Sequence, residues 1–122
     1  MKKILLVEDN PFLIKEYAGG FKKAGFIVEV VSDGGKVLSA VEEIKPDLLV
    51  MDIILPNMDG WEILTSIKNG HNGLKDMKVI IVSDLCQKYD VKKGLDLGAA
   101  KYLIRNHYSL CEIVEEIKKI LK

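Results

Sequence analysis

Acidic, hydroxyl and basic side chains stand directly after short apolar segments of this sequence, where the ends of buried strands would lie. In chain order they are Glu8 and Asp9, then Asp52, Ser83 and Arg105. Carboxylates held a few ångström apart raise one another's pKa, and a bound cation relieves the repulsion between them. Hard oxygen ligands that leave room for water suit Mg2+ better than a soft metal. We therefore expect a magnesium site if the fold brings these residues together.

A bound divalent cation would allow Asp52 to act as a nucleophile. Its carboxylate could attack a phosphoryl group while the cation and a basic side chain neutralise charge on the transferring oxygens. Ser83 could then hydrogen-bond the product. The plainer alternative is that these acids are ordinary surface residues at strand ends, and it is the less favoured one because separate strands deliver them to the same edge.

The elements that must position these residues follow from the apolar pattern. Strand-length apolar runs occur at residues 4–7, 27–31, 48–51 and 79–82, with a weaker run at 102–104. Between them, apolar residues recur with helical spacing. Runs that are apolar on both faces predict a parallel sheet covered by helices on each side, and only the second run, which Glu29 interrupts, resembles an exposed edge. The pattern predicts a doubly wound α/β sandwich, whose ligand site lies beyond the carboxyl ends of the strands.

Local signals mark where the helices begin and end. Asn10 followed by Pro11 is typical of a helix start, and Ser109 with Glu112 has capping-box spacing before the last helix. Pro46 closes the second helix.

The fourth helix, over residues 87–97, is the weak one. Its apolar anchors are mainly Val91 and Leu95, and it contains Gly94, which costs a helix about 1 kcal/mol relative to alanine. We expect it to be the most mobile element.

Three further aromatic or histidine side chains receive no chemical role. Trp61 is interpreted as a partly exposed aromatic at a helix start rather than a binding hot spot. His71 lies in the loop that follows Gly70 at the end of the third helix, and His107 lies before the last helix. Neither histidine has a second ligand at useful spacing.

Length and composition fit one domain without a strongly charged surface. The chain has 122 residues, 48% of them apolar, and 18 basic residues balance 18 acidic ones. We expect a single domain over residues 1–122 with no output domain, and no net charge that would draw it to nucleic acid or an anionic membrane.

The apolar run in MKKILLVED is too short for a signal peptide or a membrane span, and Cys86 and Cys111 lack zinc-site or disulfide spacing. The sequence predicts a cytoplasmic protein.

Four segments of the sequence resemble the receiver domain of two-component response regulators, and the resemblance covers the whole chain. These segments are ILLVEDN, LLVMDIILPNMDGWEIL, VIIVSD and GAAKYLIRN. The resemblance implies a flavodoxin-like (βα)5 sandwich whose five parallel strands have the order 2-1-3-4-5. It also implies a signalling switch in phosphorelay signal transduction that catalyses only its own aspartyl phosphorylation and dephosphorylation, and not an enzyme acting on other substrates.

The resemblance assigns roles at the acidic crevice. It implies that Asp52 is the phosphoacceptor and that the phosphoryl donor is a histidine kinase or a histidine phosphotransfer protein. Glu8, Asp9 and Asp52 would bind Mg2+ together with the backbone carbonyl of Ile54. Arg105 would contact the phosphoryl group.

The resemblance also assigns the switch and the partners. Ser83 and Tyr102 take the switch positions, and phosphorylation would draw the loop after the fourth strand inward while Tyr102 changes rotamer. The surface of the fourth helix, fifth strand and last helix would contact a downstream effector protein or a fused output domain. No direct contact with nucleic acid or membrane is implied, and we expect a monomer or weak homodimer.

Arg105 and Asn106 depart from the family pattern, which has a lysine followed by a proline. Arginine keeps the positive charge but is a planar fork rather than a compact ammonium. Lys101 is no substitute because four strand residues, about 13 Å, separate it from that end of the strand. Either Arg105 grips the phosphoryl group with two nitrogens and the domain still switches, which we favour, or the fold acts as a phosphorylation-independent interaction module.

Ile54 and Leu85 are the second departure, because the family often has polar residues at these positions to help place the hydrolytic water. Two apolar side chains there predict slow loss of the phosphoryl group.

A small flavodoxin-like or hydrolase-like enzyme is the least favoured class. An aspartyl phosphatase would need an Asp-x-Asp pair, and Asp52 is followed by Ile53 and Ile54. No glycine-rich loop follows the first strand to bind a nucleotide phosphate.

Overall fold

The computed structural model describes residues 1–70 and 73–122, and within these residues five strands alternate with five α-helices. The strands are β1 (Lys3–Val7), β2 (Ile27–Val31), β3 (Leu48–Met51), β4 (Val79–Ser83) and β5 (Lys101–Ile104). The helices are α1 (Pro11–Lys23), α2 (Val37–Ile44), α3 (Gly60–Lys68), α4 (Lys88–Asp96) and α5 (Leu110–Ile120). The predicted alternation of strands and helices is therefore confirmed. No helix in the described ranges has both the length and the apolar character that a membrane span requires.

All five strands are parallel and lie in the order β2-β1-β3-β4-β5, which confirms the predicted flavodoxin-like sandwich. Alternate residues of one strand face opposite sides of the sheet, so the sheet has two cores. Leu5 of β1 belongs to the core covered by α2 and α3, whereas Ile4 and Leu6 belong to the core covered by α1 and α5. Helices thus cover both faces of the sheet.

The edge strand β2 is the exposed one, as its sequence predicts. Ile27 and Val30 each retain 40% of their surface, whereas the interior strands β3 and β4 are buried at every position. On the opposite edge, β5 keeps Tyr102 and Leu103 buried.

The predicted helix boundaries are present. The Asn10 side chain accepts hydrogen bonds from the backbone N–H groups of Phe12 and Leu13, and Ser109 forms a reciprocal capping box with Glu112. At the other end, α2 stops at Ile44, one residue before a left-handed Lys45 and then Pro46.

The third helix ends two residues before Gly70. Gly70 has a φ of 88°, a left-handed backbone conformation that glycine adopts more readily than other residues. His71 lies outside the described residues, so the interpretation of its loop remains a prediction.

One of the two predicted anchors of α4 is confirmed and the other needs a correction. Val91 is partly buried and packs against the core that α2 and α3 cover. Leu95 is 45% exposed and is not an anchor, while the buried positions of α4 are Asp90 and Gly94. The physical reason is the close approach of β5: a Cβ added at Gly94 would lie 2.7 Å from Cδ2 of Tyr102. The glycine that weakens the helix in isolation is what lets α4 lie against the sheet.

Candidate functional site

The acidic residues after β1 and β3 lie side by side at the carboxyl edge of the sheet. The backbone N–H of Asp52 donates to the carbonyl of Val7, 3.1 Å away, which places the residue after β3 next to the end of β1. Glu8 is 2% exposed and Asp52 8% exposed, so both carboxylates are largely removed from water. Such burial is costly for a carboxylate unless a cation or hydrogen-bond donors accompany it.

Backbone donors fix one oxygen of each carboxylate. Oδ1 of Asp52 accepts a hydrogen bond of 2.6 Å from the N–H of Ile53. Oε1 of Glu8 accepts two, each of 3.2 Å, from the N–H groups of Asp9 and Asn10. The other oxygen of each carboxylate therefore faces the crevice.

The Arg105 guanidinium occupies the crevice between these two free oxygens. Its Nη2 donates to Oε2 of Glu8 at 3.0 Å and to Oδ2 of Asp52 at 3.1 Å. The same nitrogen lies 3.1 Å from the carbonyl oxygen of Val82, and Nη1 donates to Oδ2 of Asp84 at 3.0 Å. With 12% of its side chain exposed, Arg105 is the cation that this acidic crevice contains in the structure.

The electrostatics of the crevice reflect this burial. Burial raises the pKa of Glu8 to about 7, and the negative charges of Asp52 and Asp9 add to the effect, while the Asn10 N–H and Arg105 oppose it. Burial alone would lower the pKa of Arg105, but the carboxylates of Asp52 and Glu8 more than offset it, so the pKa lies above its usual range. The guanidinium therefore remains charged throughout the physiological range, whereas its positive charge does not fully offset the cost of burying the Glu8 carboxylate.

Asp9 does not join this network. It is exposed, and within the described part of the chain its carboxylate has no hydrogen bond or ion pair. Among residues 1–70 and 73–122, no three acidic, histidine or cysteine side chains are gathered closely enough to hold a metal ion. The donor chemistry nevertheless fits Mg2+, since Glu8 and Asp52 offer hard oxygens at one place and the exposed carboxylate of Asp9 is the next residue along the chain.

Tyr17 is a site residue that sequence reasoning missed, because its helical spacing marked it only as a core position of α1. Its hydroxyl accepts a hydrogen bond of 3.3 Å from Nε of Arg105, and the residue is 3% exposed. The residue type could have indicated this contact, since a tyrosine at a buried position usually needs a hydrogen-bond partner for its hydroxyl.

Ser83 and Tyr102 both contact Leu85 in the loop between β4 and α4. The Ser83 hydroxyl accepts a hydrogen bond from the Leu85 N–H at 3.2 Å, and the Tyr102 hydroxyl donates to the Leu85 carbonyl at 2.7 Å. Ser83 is fully buried and Tyr102 is 8% exposed, so the tyrosine ring lies inward. Burial raises the pKa of the Tyr102 hydroxyl to about 12. One loop residue thus links the two predicted switch residues.

Trp61 packs beside this pair. Its ring stacks on Tyr102 with 6.5 Å between ring centroids, and Nζ of Lys93 lies 4.6 Å from the centroid of the Trp61 ring. The indole is partly buried near the start of α3, and its contacts reach α4 as well as β5.

The loop between β3 and α3 is joined to the loop after β2. The backbone N–H of Gly34 donates to the carbonyl of Pro56 at 3.0 Å, and the Asn57 amide donates to Oδ1 of Asp33 at 3.0 Å. Ile54, whose carbonyl is the predicted metal ligand, is 62% exposed in this loop. These contacts fix the rim of the crevice beside Asp52.

Comparison with known proteins matches residues 4–118 to a family described as the response regulator receiver domain. The transcriptional regulatory protein HprR of Escherichia coli K12 is 33% identical to this chain over 120 residues, and the transcriptional activator protein IrlR of Burkholderia pseudomallei is 32% identical over 120 residues. Both alignments cover 98% of this chain, but 52% of HprR and 50% of IrlR. The chain spans about half the length of the curated relatives it matches.

Solved structures show the same fold. The BeF3-activated N-terminal receiver domain of Klebsiella pneumoniae RstA superposes with a TM-score of 0.89 at 23% identity, and the match covers 98% of both chains. A CheY-like response regulator receiver domain protein from Methanospirillum hungatei JF-1 superposes with a TM-score of 0.87 at 27% identity, covering 99% of this chain and 94% of that one.

Proposed function

This chain belongs to the response regulator receiver domain family, and we propose that it accepts a phosphoryl group on Asp52 from a phosphohistidine donor in a Mg2+-dependent reaction. The observation that carries the proposal is the setting of the Asp52 carboxylate. The Ile53 N–H holds its Oδ1, while its Oδ2 faces a crevice that contains a guanidinium. An oriented carboxylate beside a fixed positive charge is what transfer of a phosphoryl group requires.

The proposed transfer uses one oxygen of the Asp52 carboxylate as the nucleophile. The oxygen forms a bond to phosphorus, the bond between phosphorus and the donor histidine breaks, and the histidine nitrogen takes up a proton. Glu8, Asp9, Asp52 and the backbone carbonyl of Ile54 would hold Mg2+, which would neutralise charge on the phosphoryl oxygens.

Arg105 would donate to the phosphoryl oxygens, because Nη1 and Nη2 already point into the crevice. A guanidinium can make two parallel hydrogen bonds to a phosphoryl group, so the arginine at this position is compatible with the reaction. The alternative of a phosphorylation-independent interaction module is not favoured, since Arg105 lies within hydrogen-bond distance of the proposed phosphoacceptor.

The switch would begin at Ser83. Its hydroxyl would turn from the Leu85 N–H to a phosphoryl oxygen and draw the loop inward, which would disturb the bond between Tyr102 and the Leu85 carbonyl. Moving a two-state equilibrium from 1:99 to 99:1 takes about 5.5 kcal/mol, and one hydrogen bond to a charged group contributes about 1.5–3 kcal/mol. Contacts from both Ser83 and Arg105 would therefore be needed.

The proposed output is the surface formed by α4, β5 and α5, which would control a downstream effector protein or a fused output domain. The two relatives described above are named as a transcriptional regulatory protein and a transcriptional activator protein, and this chain covers about half of each. A histidine kinase or histidine phosphotransfer protein would be the upstream partner.

Intact-protein mass tests the proposal directly. The chain is incubated with Mg2+ and phosphoramidate, alongside the Asp52→Ala variant and a receiver known to be labelled. A single phosphoryl adduct that is absent from the variant is the expected result. No adduct on this chain while the control receiver is labelled would contradict phosphorylation and favour the interaction module.

A further inference from the structure

We propose that Arg105 is a built-in cation that competes with Mg2+ for Glu8 and Asp52, and that Tyr17 is the positioning residue that keeps the guanidinium there. The inference deepens the proposed function and rests on it for the identity of the divalent cation. It states that Mg2+ must displace the Arg105 guanidinium before it can bind to Glu8 and Asp52.

The competition follows from the acceptors that Nη2 uses. Oε2 of Glu8 and Oδ2 of Asp52 lie 3.0 Å and 3.1 Å from this one nitrogen, and they are the oxygens that face the crevice. A magnesium ion would approach such oxygens to about 2.0–2.1 Å and would need the lone pairs that now accept from Nη2. Two positive groups in so small a buried volume also repel each other strongly. We therefore expect the guanidinium and the divalent cation to exclude one another.

The guanidinium is anchored at its other nitrogens as well. Nε donates to the Tyr17 hydroxyl at 3.3 Å, and Nη1 donates to Asp84, whose side chain is 78% exposed. The exposed Asp84 contact is worth little in water. Tyr17 is 3% exposed, and its ring stacks on Phe21 with 6.0 Å between centroids, so packing holds its hydroxyl in place beside Nε.

This anchoring depends on the planar fork of arginine. Nε lies on the stem side of the guanidinium and Nη2 at its tip, which lets one side chain contact Tyr17 and the two carboxylates at once. A lysine ammonium has a single nitrogen and could not bridge these positions in the same way. Once Mg2+ displaces the guanidinium, its nitrogens become available to the phosphoryl group, so metal binding would also prepare Arg105 for the transfer.

Mg2+ binding to the whole chain, without a phosphodonor, measures the competition. Isothermal calorimetry would compare the wild type with Tyr17→Phe, which keeps every charge, and with Arg105→Gln. We expect Tyr17→Phe to bind Mg2+ about fivefold more tightly, as loss of one anchoring hydrogen bond predicts, and Arg105→Gln to bind more tightly still. Tyr89→Phe is the matched control with unchanged affinity, since Tyr89 is 71% exposed on α4.

The wild-type protein provides a second measurement that needs no variant. The 15N-detected Nε–H signal of Arg105 should report a hydrogen-bonded, slowly exchanging proton without Mg2+ and should shift and exchange faster at saturating Mg2+. Three results would each overturn the inference. One is that Tyr17→Phe and Arg105→Gln both bind Mg2+ with the wild-type affinity. The others are an Nε–H signal that Mg2+ leaves unchanged and a failure of every variant to bind Mg2+.

The two proposals fail in different ways. Tighter Mg2+ binding in Tyr17→Phe without any phosphoryl adduct would contradict the proposed function and support the competition. A normal adduct with equal Mg2+ affinities across the variants would contradict the competition and leave the proposed function standing.

Discussion

At the scale of single residues, Arg105 joins parts of the chain that are far apart in sequence. It contacts Tyr17 on α1, Glu8 after β1, Asp52 after β3 and Asp84 after β4. Because Glu8 and Asp52 are buried, removing the guanidinium leaves two carboxylates with their charges insufficiently compensated. The side chain therefore has both a stabilising role and a proposed chemical one.

Replacing Arg105 by alanine should slow phosphoryl transfer to Asp52 at saturating Mg2+ by about one to two orders of magnitude, because a hydrogen bond to a charged group contributes about 1.5–3 kcal/mol. Arg105→Lys keeps the charge and should lie between alanine and the wild type. The rate of adduct formation by intact mass is the measurement, with a urea midpoint to show that each variant is folded. An alanine variant that is labelled as fast as the wild type would exclude a role for Arg105 in the transfer.

Ile54 bears on how long the phosphoryl group lasts. Its side chain is 62% exposed beside the crevice and cannot orient a water molecule by hydrogen bonding. We expect Ile54→Asn to shorten the lifetime of the adduct, followed by mass after the phosphodonor is removed. Equal lifetimes in the two proteins would refute the prediction of slow loss.

At the scale of elements, α4 shows how a local preference yields to packing. Its glycine has a lower helix propensity than alanine, yet a side chain at that position would meet β5. The start of α4 is secured by the Asp90 carboxylate, whose Oδ2 accepts a hydrogen bond of 3.2 Å from the Gln87 N–H. The helix is therefore well defined at its start while burying few apolar side chains, and its greater mobility stays a prediction.

Gly94→Ala should destabilise the protein by about 1–3 kcal/mol, because the added Cβ would lie 2.7 Å from Tyr102 and 3.0 Å from Ile81. Gly19→Ala is the matched control: it lies within α1, its added Cβ would meet no atom within 4 Å beyond its chain neighbours and the backbone of its own helix, and it should stabilise by about 0.5–1 kcal/mol. Urea denaturation measures both. Stabilisation by Gly94→Ala would show that the Tyr102 ring moves aside at little cost.

At the scale of the whole molecule, the crevice and the proposed output surface are connected through one loop. Ser83 contacts Leu85 from the crevice side, and Tyr102 contacts Leu85 from the side of β5. Trp61 then stacks on Tyr102 and lies beneath Lys93 of α4. A change at the phosphoacceptor can therefore reach α4 through contacts that already exist.

Phosphorylation should change the fluorescence of Trp61, the single tryptophan of the chain, because its stacking partner Tyr102 would change rotamer. Ser83→Ala should still form the adduct but lose most of the fluorescence change, since the loop would no longer be drawn inward. Fluorescence and intact mass are recorded on the same samples. A full fluorescence change in phosphorylated Ser83→Ala would rule out the proposed route.

The order of strands and helices, the caps of α1 and α5 and the position of Asp52 after a buried strand could all be predicted from the sequence. These features depend on local periodicity and capping, which residues close together in the sequence determine. The crevice residues Glu8, Asp52 and Arg105 could also be named, because the carboxyl ends of parallel strands meet at one edge.

The tertiary structure alone decided how those residues pair. The contact of Tyr17 with Arg105 spans 88 positions, and the close approach of Gly94 to Tyr102 depends on how α4 lies against β5. It also decided that Leu95 is exposed and that Asp9 stands outside the ion-pair network. Periodicity indicates which face of an element is buried, but only the packing of elements against each other determines which polar atoms meet within hydrogen-bond distance.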